Sequence, residues 1–202
     1  MPSKAVMYYL YTPFQKNDIM DFRAIELSLN KFAANDESLL QGLLTETSKK
    51  RPSVFNNRSA GEVLTMLENH RTEHGISIGY INDGYGHVLG LAGLHYLPET
   101  GIYEIVSHLL PDHAGRTAAV IEYLVFEAFA NLGMDKICAR VLPESTDASI
   151  LKENGFTCLG ERAFAEEGMD QIWQYYELEN EGTMAAPAQD TAYATSDWDS
   201  LF

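Results

Sequence analysis

No apolar run in this 202-residue sequence approaches the roughly 20 residues that a helix needs to cross a bilayer. The opening Met1-Pro2-Ser3-Lys4 leads into a strand-like segment and lacks the apolar core of a signal peptide, so the expected setting is the cytoplasm, away from membrane. Cysteine is nearly absent. Cys138 and Cys158 are the only two, which excludes a disulfide scaffold, and no CxxC pair or adjacent histidine completes a metal set. Each is expected as a small buried hydrophobe in a strand, and no metal is expected. Positive charge is also scarce. Past Arg162 there is no Lys or Arg, whereas nine acids follow, leaving about −6 of the net −15 for residues 1–162. Nucleic acid is thereby excluded as a main partner, since phosphate binding needs a basic surface. The one basic cluster, Lys49-Lys50-Arg51, runs into Pro52 and reads as a solvated loop.

Hydrophobic residues make up 46% of the chain, enough for one domain with a substantial core. Residues 5–12 are rich in β-formers and read as a first strand. From Asn17, Ile19, Phe22, Ile25 and Leu29 recur at helical spacing, and a short helix is expected around residues 38–44. Ser59-Ala60-Gly61-Glu62 is a capping box for a helix that ends by Gly75. Strands are expected at 76–81, 88–96 and 102–110, the first two joined through Asn82-Asp83-Gly84, where Asp-Gly supplies the positive φ of a tight turn. Ile121, Leu124, Val125, Ala128, Phe129 and Leu132 mark a helix over 117–132 that Gly133 stops. A strand at 136–142, a helix at 147–153 and closing strands at 156–160 and 172–178 complete the order. That order fits an α/β (α+β) mixed sheet with helices on both faces. Residues 1–179 form the domain, and from residue 180 Gly, Ala, Pro, Gln, Ser and Thr dominate a tail.

Chemistry concentrates where the strand at 102–110 gives way to the helix at 117. A strand, a short loop and a helix N-terminus direct backbone amides and the positive end of a helix dipole at one spot, an anion site. Small residues at Ala114, Gly115, Ala118 and Ala119 let a phosphate come close to the main chain.

This stretch resembles the acetyl-CoA-binding motif of the GNAT superfamily of N-acetyltransferases, and most closely the branch that acetylates ribosomal-protein N-termini. The branch reads Glu-Ile-Gly-Tyr-Trp-Leu-x-Pro and then Arg/Gln-x-x-Gly-x-Gly/Ala; Glu104, Ile105, Leu109, Pro111 and Gly115 fall on it without a gap. Pro143-Glu144-Ser145, with Ser149-Ile150, resembles the family's next helix start, and Asn154-Gly155-Phe156 its following strand. The resemblance spans about residues 5–178. It implies a GNAT-like, mostly antiparallel sheet of about seven strands and direct transfer of an acetyl group from acetyl-CoA, a co-substrate, to a primary amine. It further implies that Leu109 and Leu110 contact pantetheine and that Ala114, Gly115, Arg116, Thr117, Ala118 and Ala119 hold the phosphates. Glu104 is the implied base, through water, with His108 as the other candidate. Ser149 or Ser145 would orient the thiol, although helix capping accounts for either.

The sequence departs from the motif at Asp112, where the family has Arg or Gln, and at Thr117, where it has Gly or Ala. Asp112 is expected to set a negative charge near the phosphates, which Arg116 offsets; Thr117 is expected to narrow the cradle. The family's Asn ahead of the late helix has no clear counterpart, and the thiolate-protonating Tyr of other branches is missing from residues 148–154. The alternative expectation is therefore a binding protein on a GNAT fold. Tyr193, Trp198, Leu201 and Phe202 stand among acids in the tail and are expected to dock on a protein partner. The acidic balance favours a cationic acceptor amine.

Overall fold

The computed structural model describes residues 27–47, 55, 58–166 and 169–180. The strand expected at 5–12, the helix start at Asn17, the cluster Lys49-Lys50-Arg51 and the docking residues 193–202 lie outside them. Seven described strands form one mixed sheet in the order β1-β2-β3-β4-β5-β7-β6. They are β1 (Leu27–Asn30), β2 (Ile78–Asp83), β3 (Val88–Leu97), β4 (Ile102–Leu109), β5 (Lys136–Val141), β6 (Thr157–Glu166) and β7 (Met169–Glu179). Every neighbouring pair is antiparallel except β4 and β5. The helices are α1 (Glu37–Thr47), α2 (Ala60–His74), α3 (Thr117–Phe126) and α4 (Asp147–Glu153). No helix among the described residues is long and apolar enough to cross a membrane.

The helices divide between the faces as the side-chain periods require. Val120, Ile121 and Leu124 of α3 and Leu151 of α4 pack with Leu94, Ile105 and Ile137 on one face. Leu40 and Leu43 of α1 and Val63 and Leu67 of α2 pack with Ile78, Leu91 and Val106 on the other. Beyond α2 on that second face, Leu97, Cys138, Trp173 and Tyr175 form a smaller cluster. α2 begins on the expected capping box: Ser59 Oγ accepts from Glu62 N at 3.3 Å, and the Glu62 carboxylate accepts from Ser59 N at 2.7 Å. α3 continues through a π-helical turn, Glu127–Asn131, and Gly133 ends it with a φ of 64°.

Three local expectations are corrected. Leu29 belongs to β1, not to a helix. Leu27 and Leu29 alternate with Ser28 and Asn30 at the strand period, β1 pairs with β2 over all four residues, and Leu29 N–H donates to the Tyr123 hydroxyl of α3. In the β2–β3 hairpin the positive φ falls on Gly86 (84°) and not on Gly84. Gly86 N donates to Asp83 O, and the Asp83 carboxylate accepts from the amides of Tyr85 and His87, so the loop is a turn closed by a left-handed residue. Cys138 is buried as expected, but Cys158 is exposed on β6; both are free thiols. A bulge in β3 opposite Ile81 resets its alternation at Gly90. A Cβ there would stand 2.4 Å from the His108 carbonyl oxygen on β4, so only glycine lets the two strands close at this point.

Candidate functional site

β4 and β5 run parallel yet pair at only two positions, Tyr103 with Ile137 and Glu104 with Cys138. β4 then continues to Leu109 held by β3, and β5 to Val141 held by β7. Each strand is kept straight by its outer partner while the inner edges part, so the sheet opens into a fork at the carboxyl ends of its two parallel strands. In open α/β sheets ligands enter at such a point.

The base of the fork is closed by an ion pair. Arg140 of β5 donates from Nε and Nη2 to the two carboxylate oxygens of Glu104 at 2.7 and 2.8 Å. The side chains are 5% and 8% exposed, and the guanidinium lies 5.6 Å above the Trp173 ring. The two-pronged geometry matches guanidinium to carboxylate and is a strong form of the interaction. Glu104, the implied base, is thus a paired carboxylate here, with both oxygens already accepting.

On the same face the polar band continues outward. His95 of β3 stands directly opposite Glu104 in the ladder. Its ring stacks on His70 of α2, with centroids 4.8 Å apart and an interplanar angle of 22°. His74 follows, 4.7 Å from His70 and stacked 4.5 Å from Tyr96. The backbone fixes the His70 tautomer. Its Nδ1 lies 2.8 Å from Ile76 O, which can only accept, so the proton is there; Nε2 accepts from Tyr96 N–H at 2.8 Å. Burial accordingly holds His70 below its ordinary value. His95 is pushed down to about 4, by burial first and then by His70, Arg140 and His74. Both nitrogens of His70 are committed, so the three rings do not form a metal site, and no metal-binding group is found among the described residues. A groove of about 880 Å³ runs along this band, bordered by Arg58, Glu62, Glu73, His70, His74 and His95.

At the mouth of the fork the chain is more tightly wound than a loop. Leu109 packs toward the α3 face and Leu110 toward the α1–α2 face, flanking the end of β4. Pro111–Arg116 is a 3₁₀ helix that runs directly into α3. Its i→i+3 bonding takes up amides that an open loop would present. Asp112, Ala114 and Gly115 are exposed, while Arg116, Ala118 and Ala119 are half-buried. A Cβ on Gly115 would meet no described atom within 4 Å, so this residue borders open space. Thr117 does not narrow the cradle as expected: it is buried, and its hydroxyl donates back to Ala114 O at 2.8 Å.

The remaining candidates are dispersed. His108 is four residues beyond Glu104 on the same strand face, about 13 Å away at strand rise, so the two do not converge on one atom. Ser149 is exposed, and its hydroxyl donates to Thr146 O at 2.8 Å. Ser145 Oγ accepts from Asp147 N at 3.2 Å and serves the start of α4. Sequence reasoning missed Arg140 and the three histidines. The i, i+4 spacing of His70 and His74 and an arginine within the apolar run of β5 were the available signals.

No protein-family model and no curated protein matches the sequence. Solved structures do match. A mutant form of the spermidine/spermine N-acetyltransferase SpeG from Vibrio cholerae superposes with a TM-score of 0.60 at 18% identity, covering 76% of this chain and 93% of that one. A SpeG chimera from the same organism gives 0.62 at 19% identity, covering 76% and 95%. The ribosomal-protein-S5-alanine acetyltransferase from Vibrio fischeri gives 0.59 at 14% identity, covering 80% and 96%.

Proposed function

We propose, from a fold that is that of the GNAT N-acetyltransferases, that this chain binds acetyl-CoA in the fork between β4 and β5 and transfers the acetyl group to a primary amine. The observation that carries this reading is the fork itself. Strand edges that stop pairing after two rungs offer backbone groups to an extended amide-bearing arm such as pantetheine. Leu109 and Leu110 flank its entrance, and the 3₁₀ segment and start of α3 lie where the phosphates would leave it. The open space over Gly115 fits a bulky group there. Arg116 supplies a cation, which Asp112 opposes.

The chemistry is acyl substitution. The amine nitrogen bonds to the thioester carbonyl carbon, the carbon–sulfur bond breaks, and the nitrogen's proton balances the one that the thiolate takes up. The neighbouring structures act on spermidine and on a ribosomal-protein alanine, both amines, and the acidic charge of this chain favours a cationic acceptor. Calorimetry with acetyl-CoA tests the reading. Saturable binding is expected, and Gly115→Val should abolish it without altering the melting temperature, since a Cβ there meets no described atom within 4 Å. Wild-type protein that binds no acetyl-CoA at millimolar concentration refutes it and favours a binding protein on this fold.

A further inference from the structure

The groove along α2 does not end blindly. His95 forms its inner wall and, by ladder register, the neighbour of Glu104 at the base of the fork. Adjacent strands lie about 4.8 Å apart, so this is the point where a molecule in the groove and one in the fork come within reach of each other. Glu104 turns away from the groove toward Arg140, and His108 stands farther along β4. That leaves His95 as the ring nitrogen base at the junction. The groups acting on it are His70 and His74 from α2, Arg140 from β5 and, by register, Glu104 from β4, while Arg58, Glu62 and Glu73 line the groove it borders.

We propose that the groove between α2 and the end of β3 admits the acceptor amine, and that His95, held by its stack on His70, takes the proton from the attacking nitrogen. The proposal rests on the acetyl-transfer reading and assigns it a catalytic base. The amine enters uncharged. Once its nitrogen has bonded to the carbonyl carbon, its N–H is far more acidic than in a free ammonium, and the imidazole accepts that proton. His95 then releases that proton to solvent and the departing thiolate takes one up, so amine and thioester give amide and thiol and the imidazole is restored. The low proton affinity that burial and Arg140 impose keeps His95 unprotonated and ready throughout the neutral range. The locked His70 tautomer fixes the surface on which His95 stacks. It also keeps the His70 ring itself uncharged beside the groove.

The test is turnover of acetyl-CoA with spermidine and with an alanine-initiated peptide as probe amines. His95→Ala should lower kcat at least about 100-fold, the scale of a lost general base, while acetyl-CoA affinity by calorimetry stays unchanged. Added imidazole should restore turnover in the variant with saturation, which a merely structural role would not produce. His95→Gln retains polar packing without a titratable base and should be equally slow; it serves if the alanine variant fails to fold. Turnover within about threefold of wild type in either folded variant, against the loss expected for a base, overturns the proposal. Wild-type protein that binds no acetyl-CoA overturns the acetyl-transfer reading first, and this proposal with it, in a measurement independent of His95.

Discussion

Replacing Arg140 with methionine removes the guanidinium and leaves the Glu104 carboxylate in place. With both partners less than a tenth exposed, solvent recovers little of the lost interaction. Breaking a buried pair from one side costs about 3–5 kcal/mol, because the remaining charge keeps its desolvation penalty without its partner. Loss of the contact over Trp173 adds about 0.5–2 kcal/mol. At roughly 2–4 °C per kcal/mol for a chain of this size, the melting temperature should drop by about 10 °C. The double variant Glu104→Leu with Arg140→Met should recover most of the loss, since two apolar side chains can replace a buried pair at little cost. Urea unfolding of the four members of this cycle gives the coupling directly. Arg140 also helps hold the His95 pKa down, so its removal should raise that value, readable from the imidazole proton resonance. A single variant that loses less than about 1 kcal/mol, against the cost of an orphaned buried charge, would refute the pairing. So would a double variant as damaged as the single one.

Ser59→Ala should cost about 1 kcal/mol through loss of the capping box, with acetyl-CoA affinity unchanged; thermal unfolding and calorimetry check the two parts. Unfolding free energy should fall as pH drops from 6.5 toward 4, because unfolded imidazoles bind protons that folded His70 and His95 refuse. Above 6.5 their contribution is fully present, and His95→Gln should flatten the slope in a pH series of urea melts. Asp112→Arg should tighten acetyl-CoA binding by roughly 1 kcal/mol, an advantage that shrinks with salt. Unchanged affinity would place residue 112 away from the phosphates.

Local signals in the sequence were the legible ones. Ser59 and Glu62 announce a cap because both partners lie within one turn, and the apolar stripe from Ile121 to Phe129 announces a helix because its period is its own. The motif from Glu104 to Gly115 carried the fold through a resemblance that spans most of the chain, and the solved neighbours share that fold. What remained illegible depends on partners distant in sequence. Leu29 fits a helical spacing with Ile25, yet pairing with Ile81 decides its state. Thr117 looked like an obstruction because its rotamer, turned back to Ala114, is set by the 3₁₀ winding. Glu104 was visible as a candidate, but Arg140 is 36 residues away. His95 meets Glu104 only through strand register.

A sheet of seven continuously bonded strands behaves as a stiff plate, because every ladder resists bending across the strands. Here β1–β4 make one plate and β5, β7 and β6 another, and among the described residues two backbone rungs, the Glu104–Arg140 pair and apolar packing on both faces join them. The joint is a seam with the mechanics of a hinge: the gap can widen or narrow without sacrificing a single backbone hydrogen bond in either plate. α3, packed beneath β4 and lying in the connection to β5, braces the seam from one face. The fold thus sets its shortest ladder on the line where the proposed long, thin guest would have to be accommodated, and keeps longer ladders in the rest of the sheet.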